Sequence, residues 1–299
     1  MRAPIAPMLT AMTQATRTAI LFPGQGADLT GAREHVEERC PELYEHACEL
    51  LELDPFEQAA GSTRYAQPAI YLASLAGWHA ARDAGIEPHA LAGHSLGEIA
   101  ALVAAGVLQP SDGLELVALR GRLMDELTRS AQGGMVAILK GTIAQAERLA
   151  LVHGLRVANY NAPGQTVLSG PIEGIETAAR DARAGEMRAL KLDVSGAFHT
   201  PALGPARVEF RQALAAVELG SPRVIVFSSM TAAPFADPVE QLATALIRPV
   251  RWSETMLALD RFGARAYLDA GPGRVLAGLV SRNLGEARLI DLEDNGVHA

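Results

Sequence analysis

One pentapeptide constrains this chain more than any other segment: Gly93-His94-Ser95-Leu96-Gly97. Before it, Pro88 to Ala92 is short and apolar. After it, Glu98 to Ala105 is helix-forming and stops at Gly106. A strand, a tight turn holding a serine and then a helix make a nucleophile elbow. Glycines flank the serine because the turn is too cramped for a Cβ. The helix that follows aims its free N–H groups back at a reacting carbonyl. The same pattern also fits a loop in which Ser95 only caps a helix, and Gly-x-Ser-x-Gly occurs by chance. The rest of the chain has to decide.

At 299 residues the chain has length for one large core, or for a large domain with a smaller one attached. Hydrophobic residues make up 49% and charged residues 20%, which excludes disorder as the general state. The net charge is −8 with no basic block, which argues against nucleic acid as a partner. Cys40 and Cys48 match no zinc spacing and no disulfide framework, a usage that fits a reducing cytoplasm. No apolar run reaches the length of a membrane span. Residues 1–17 lack the continuous apolar core of a signal peptide and are expected to form a flexible N-terminal extension.

Strand-like and helix-like patterns alternate along the chain. Thr18 to Phe22 reads as a buried strand broken by Pro23-Gly24. Helical patterns cover Glu34 to Leu53, with Pro41 at a helix start, and Pro68 to Ala84, ending at Gly85. Ser111 to Arg129 predicts a long helix with Ser111 near its cap. The middle section then runs Met135–Leu139 strand, Thr142–Val152 helix, Leu155–Tyr160 strand, Gln165–Ser169 strand, Ile172–Ala184 helix and Met187–Val194 strand. The turn signal Asn161-Ala162-Pro163-Gly164 separates the middle strands. That β-α-β-β-α-β order is the ferredoxin-like unit. It is inserted into a larger α/β unit that resumes with a helix over 202–219 and a strand over 224–228. Helices near 239–246 and 252–262, a strand near 266–268 and a helix ending at Asn283 complete it. The alternation predicts a parallel sheet covered on both faces. The expected division is 18–130 with 195–299 as the large domain and 131–194 as the small one, with the active site in the cleft between them.

Ser95 needs a base, because a neutral hydroxyl must lose its proton as it attacks. His199, in the loop Gly196-Ala197-Phe198-His199-Thr200-Pro201 just after the insert, is the candidate. A lone loop histidine is more often a surface residue, and the chain has eight histidines. His94 is the poorer candidate, since adjacent residues on an elbow point in different directions. Phe22-Pro23-Gly24-Gln25-Gly26 is a glycine-rich turn after a strand. In hydrolase-type folds such a loop completes an oxyanion hole, here through the N–H groups of Gln25 and Leu96. The alternatives are a phosphate cradle, although no Gly-Lys-Ser/Thr follows, and an ordinary turn. Arg120 lies mid-helix beside Gly121. A helix-interior glycine costs about 1 kcal/mol relative to alanine, which suggests a close approach at that point.

Taken together and in order, Gly24-Gln25-Gly26, Gly93-His94-Ser95-Leu96-Gly97-Glu98, Arg120-Gly121, Asn161-Ala162-Pro163-Gly164-Gln165, Phe198-His199, Pro249-Val250-Arg251-Trp252 and Gly271-Pro272-Gly273 resemble the malonyl-CoA:acyl carrier protein transacylases. The related acyltransferase domains of polyketide and fatty acid synthases share the same order. The resemblance runs from about Thr18 to Asn283. It implies an α/β-hydrolase-like large domain with a ferredoxin-like insert. It implies a Ser95–His199 pair without an acidic third member, the histidine being oriented by a carbonyl near Pro249-Val250-Arg251-Trp252. It also implies that Arg120 grips the free carboxylate of a malonyl group, a task that suits a planar guanidinium. Gln25, Phe198 and Asn161 are expected to contact substrate, with Phe198 narrowing the pocket against an α-methyl branch.

Two motifs depart from the family pattern. Ala27-Asp28 stand where Ser-Gln is common, and Ala245 stands where a glutamine often precedes the Pro-Val-Arg-Trp segment. A main-chain carbonyl at 245 would orient His199 as well as a side-chain amide would. The implied reaction is ping-pong transfer of malonyl from malonyl-CoA to the phosphopantetheine thiol of an acyl carrier protein, with no bound cofactor or metal, no nucleic acid or membrane partner, and a monomer as the working unit. An acyl hydrolase using the same pair is the alternative, and a non-enzymatic carrier-docking subunit a third reading. Acyl carrier proteins are acidic, so docking calls for local cations, for which Arg188, Lys191, Arg248 and Arg251 are candidates.

Overall fold

The computed structural model describes residues 17–130, 132–194 and 196–292. The chain begins with β1 (Arg17–Phe22), α1 (Ala32–Arg39), α2 (Pro41–Leu51), α3 (Pro55–Gln58), α4 (Thr63–Asp83), β2 (Ala90–Gly93), α5 (Gly97–Ala104) and α6 (Pro110–Ser130). The middle holds β3 (Gly133–Leu139), α7 (Ile143–Val152), β4 (Arg156–Ala162), β5 (Gln165–Pro171), α8 (Ile172–Ala184) and β6 (Arg188–Lys191). After a 3-10 turn at Pro201–Leu203 come α9 (Gly204–Ala216), β7 (Ile225–Ser228), β8 (Ala233–Pro234), α10 (Pro238–Ala245), α11 (Trp252–Phe262), β9 (Ala264–Asp269), α12 (Val275–Leu284) and β10 (Arg288–Ile290).

The fold is mixed α/β, built on two sheets. The first has the order β10-β9-β1-β2-β7-β8 and is parallel except for the short edge strand β8. Successive side chains of a strand point to opposite faces. Ile20 and Phe22 therefore join one apolar cluster with α4, α5 and α6, while Ala19 and Leu21 join another with α11 and α12. Burial on both faces explains why 18–22 is a continuous apolar run. The second sheet is antiparallel with the order β4-β5-β3-β6. Val136 and Ile138 pack on α7 and α8, whereas Met135 and Ala137 turn the other face onto the large cluster. The edge strand β4 is also tied to the segment just before α11, which belongs to neither sheet. Tyr160 N–H donates to the Val250 carbonyl and Val250 N–H to the Ala158 carbonyl, both at 2.8 Å.

Some boundaries differ from the sequence reading. Arg17 is the first residue of β1, its guanidinium donating to the Phe262 carbonyl, so it does not belong to an extension; residues 1–16 lie outside the described residues. Helix α4 starts at Thr63 and carries Pro68 inside it. Proline there removes the N–H that would meet the Arg64 carbonyl. That carbonyl and Thr63's instead lie against Gly121 of α6, each 3.0 Å from where a Cβ would stand. The close approach expected at Gly121 is thus an α4–α6 crossing. Pro110, not Ser111, opens α6. Asn161 and Ala162 belong to β4, leaving Pro163-Gly164 as the loop, with Gly164 at φ 73°. Strands β8 and β10 were not expected; they are two and three residues long and sit at the sheet edges.

Candidate active site

β1 and β2 run parallel, with Phe22 opposite Gly93, so their C-terminal ends deliver two loops to one place. The elbow is forced by its glycines. A Cβ on Gly93 would lie 2.0 Å from Glu98 N, and one on Gly97 would lie 2.0 Å from the Phe22 carbonyl oxygen. Ser95 itself holds φ 53°, a left-handed conformation that costs a non-glycine residue on the order of 1 kcal/mol. Gly24 packs against the His94 carbonyl, with room for no side chain, and Gly271 packs equally closely on Pro23. The Gly-Pro-Gly turn thus backs the Gln25 loop. Asp28, one of the departures from the family pattern, folds that loop on itself by accepting from Thr30 N–H and Oγ1.

Ser95 Oγ lies 2.9 Å from His199 Nε2. The other ring nitrogen, Nδ1, faces two main-chain carbonyls, Ala245 at 2.8 Å and Arg248 at 3.1 Å. Carbonyls only accept, so Nδ1 carries the proton and Nε2 is the acceptor for the serine hydroxyl. Ala245 is the last residue of α10, where carbonyls have no helical partner and the negative end of the helix dipole lies. The side chain at 245 is thereby irrelevant to this contact, which accommodates alanine. His199 is 5% exposed. Burial, and next to it the Arg120 charge, push its imidazole down to about 4, so the ring is neutral at neutral pH.

Arg120 reaches the same hydroxyl. Its Nη2 donates to Ser95 Oγ at 3.0 Å and its Nη1 to Gln67 Oε1 at 2.6 Å. Arg120 is 5% exposed and no carboxylate forms a salt bridge with it among the described residues. Burial lowers it to about 10, with Glu98 acting the other way. A buried cation aimed at the nucleophile, held by a neutral amide, is poised to receive an anionic group.

Among the described residues, neither Gln25 N–H nor Leu96 N–H donates to a protein acceptor. The Gln25 side chain instead exchanges hydrogen bonds with Thr63. Asn161 is buried and its Oδ1 pairs with His94 Nε2 at 2.9 Å, while the His94 ring lies 5.2 Å from that of Trp252. Asn161 therefore steadies the residue beside the nucleophile, and its carbonyl takes Asn283 Nδ2. Phe198 is buried in the same cluster as Leu96 and Met135. Arg251 is engaged by Glu254, whereas Arg188, Lys191 and Arg248 are exposed. Sequence reasoning missed Gln67 and the placement of Glu98; only their positions, beside Pro68 and inside the elbow, hinted at either.

With this geometry in hand, the relatives are informative. A family profile described as acyl transferase domain matches residues 38–290. The chain belongs to the acyl transferase family. A malonyl CoA-acyl carrier protein transacylase of Bacillus subtilis (strain 168) is 36% identical over 286 residues, spanning 89% of this chain and 90% of the relative. The crystal structure of FabD from Acinetobacter baumannii superposes with a TM-score of 0.86 at 31% identity, covering 95% of this acyl transferase and 98% of that chain. A malonyl-transacylase solved with a type II polyketide synthase acyl-carrier protein, PlMCAT:AntF, gives 0.83 at 32% identity over 92% of this chain and 95% of that one. Among the described residues, no helix is long and apolar enough to cross a membrane and no side-chain cluster suits a metal ion.

Proposed function

We propose that this acyl transferase moves malonyl from malonyl-CoA, through an ester on Ser95, to the phosphopantetheine thiol of an acyl carrier protein. The observation that carries the reading is a single hydroxyl shared by a base and a cation: Ser95 Oγ meets both His199 Nε2 and Arg120 Nη2. The family membership and the names of the relatives support the same reaction, for fatty acid or polyketide synthesis.

In the first half-reaction Ser95 Oγ attacks the thioester carbonyl as its proton passes to His199 Nε2. The N–H groups of Gln25 and Leu96 receive the developing oxyanion. The C–S bond breaks, and His199 returns the proton to the departing thiolate of coenzyme A. In the second half-reaction the carrier's thiol gives its proton to His199 and attacks the ester carbonyl. Serine leaves and recovers the proton. The imidazolium formed in each half is stabilised by the Ala245 and Arg248 carbonyls in place of an acidic third residue. Arg120 turns from Ser95 Oγ to the malonyl carboxylate, a bidentate pairing that selects acid-tailed acyl groups. The exchange of one thioester for another needs no resident cofactor.

We also read the large sheet with its helices as an α/β-hydrolase-like domain (18–130 with 195–299) and the β-α-β-β-α-β segment (131–194) as a ferredoxin-like insert; the strand order β4-β5-β3-β6 supports the latter. Arg188, Lys191 and Arg248 are proposed to meet the carrier's acidic surface; Arg248 and His199 line one groove. The test is intact mass spectrometry after incubation with malonyl-CoA, with and without a holo carrier protein. A malonyl adduct that is absent in Ser95→Ala and moves to the carrier is expected. Release as free malonate would overturn the reading in favour of hydrolysis.

A further inference from the structure

Glu98 lies three residues after Ser95, in the first turn of α5, and the chemistry above makes no use of it. It is 0% exposed. An acidic residue at a helix N-terminus is ordinary on a surface, but a buried carboxylate is costly unless its oxygens are engaged. Only one oxygen is engaged here. Oε1 accepts from Ser229 N–H at 2.6 Å, Ser228 Oγ at 3.0 Å and Ser229 Oγ at 3.1 Å. Oε2 is buried with no partner among the described residues. Burial lifts the carboxyl to about 7, although the three donors act the other way.

What the three bonds join is informative. Glu98 N–H donates to the Ser95 carbonyl, so Glu98 belongs to the nucleophile's own turn. Ser228 and Ser229 stand at the C-terminal end of β7. The Ser229 carbonyl takes the Arg251 N–H at 2.6 Å, and the neighbouring Val250 is the residue paired with β4. Just before it, Arg248 presents its carbonyl to His199 Nδ1. Hydrogen bonds therefore run from the Ser95 turn through Glu98 and Ser229 to Arg251, in the same segment as the Arg248 carbonyl that orients His199.

We infer that Glu98 is a positioning residue: through hydrogen bonds at Oε1 it sets the Ser95 turn against the segment whose carbonyls orient His199. The inference deepens the transfer reading and rests on its use of that pair. Because the link is made by an acceptor oxygen, a neutral amide at 98 should serve, and a methyl group should not. Displacement of reacting groups by about 1 Å costs on the order of a hundredfold in rate.

The test compares Glu98→Gln and Glu98→Ala with wild type, each checked for folding by circular dichroism and normalised to folded protein. Two readouts address the pair without malonyl-CoA: the rate of Ser95 sulfonylation by phenylmethylsulfonyl fluoride, and the His199 tautomer from its ring nitrogen-15 shifts. Glu98→Ala is expected to slow sulfonylation by about a hundredfold and to mix the tautomers, with Glu98→Gln within about threefold of wild type and holding the Nδ1–H form. Should Glu98→Ala fail to fold, the Ser228→Ala/Ser229→Ala pair removes two donors and is expected to slow sulfonylation by about tenfold. Wild-type rates in folded Glu98→Ala or in the serine pair, or Glu98→Gln as slow as Glu98→Ala, would overturn the assignment. Loading from malonyl-CoA is scored separately, so failure of the transfer reading and failure of the Glu98 link are different results.

Discussion

Ser95 and His199, 104 residues apart in sequence, meet at 2.9 Å, and both hold left-handed backbone conformations at φ 53° and 58°. Neither is a glycine, so each conformation is maintained by its surroundings. The pair also sits between two helix ends. The N-terminus of α5 lies behind the serine, and the C-terminal carbonyl of α10 faces the imidazole. In the proposed transfer one end would favour the oxyanion and the other the imidazolium, so main-chain dipoles would meet both charges of the transition state.

The pH dependence of acylation follows from the imidazole. His199 must be neutral to accept a proton, and burial with the Arg120 charge places its titration at about 4. The rate constant for loading should be flat from pH 6 to 8 and fall as pH drops toward about 4. Arg120 disfavours the imidazolium, so its removal should raise the titration. Loading of Arg120→Ala with acetyl-CoA should therefore lose activity at a higher pH than loading of wild type with the same substrate. Stopped-flow loading across pH measures both limbs.

Acyl selectivity tests the guanidinium. Leaving a buried carboxylate unpaired costs about 2–5 kcal/mol. Arg120→Ala should lose malonyl transfer by roughly two to three orders of magnitude, while acetyl transfer stays level or rises. Gln67, which fixes Nη1 at 2.6 Å, should matter less: Gln67→Ala is expected to raise the KM for malonyl-CoA by about tenfold, the scale of one charge-assisted hydrogen bond. Steady-state assays with both thioesters separate these outcomes. Equal losses for both acyl groups would make Arg120 structural.

The elbow and its helix were legible because sterics write themselves into local sequence: only glycine fits at 93 and 97. The ordered motifs carried His199 and Arg120. What stayed hidden was long-range. The Ala245 carbonyl was anticipated from the resemblance, but the second acceptor on His199 Nδ1, the Arg248 carbonyl, leaves no trace in residue type, since any residue has one. Pro68 argued for a helix start, and only the tertiary crossing shows that its orphaned carbonyl lies at Gly121. Asn161 was expected at the substrate, but its amide oxygen is engaged by His94, a contact between strand and elbow that spacing does not reveal.

Gly121 offers a stability test of that crossing. An alanine there gains helix propensity worth about 1 kcal/mol but places its Cβ 3.0 Å from two carbonyl oxygens of α4. Leucine gains a similar propensity but must also fit its further atoms against those carbonyls, so the steric cost wins. Gly121→Leu is expected to destabilise by about 1–3 kcal/mol in denaturant unfolding and to lower malonyl loading by displacing the adjacent Arg120. Wild-type stability in that variant would mean that the helices part freely at this point.

Glu98 gives a stability signature with an unambiguous sign. Its carboxyl titrates at about 7 in the folded chain, raised from 4.5. The protonated form is thus the one that folding favours. Its contribution is fully present below about pH 4.5 and is lost as pH rises through about 7. Glutamine at this position does not titrate, so the loss disappears from the variant. The difference in Tm between Glu98→Gln and wild type should therefore shift in favour of the variant between pH 5 and pH 8.5, whatever its value at the acid end. Arg120, the nearby cation, stays charged across this range, since burial brings it only to about 10. Thermal unfolding at several pH values measures the difference directly. A gap that is constant with pH, or that moves in favour of wild type, would show that Glu98 is held as an anion in the folded enzyme.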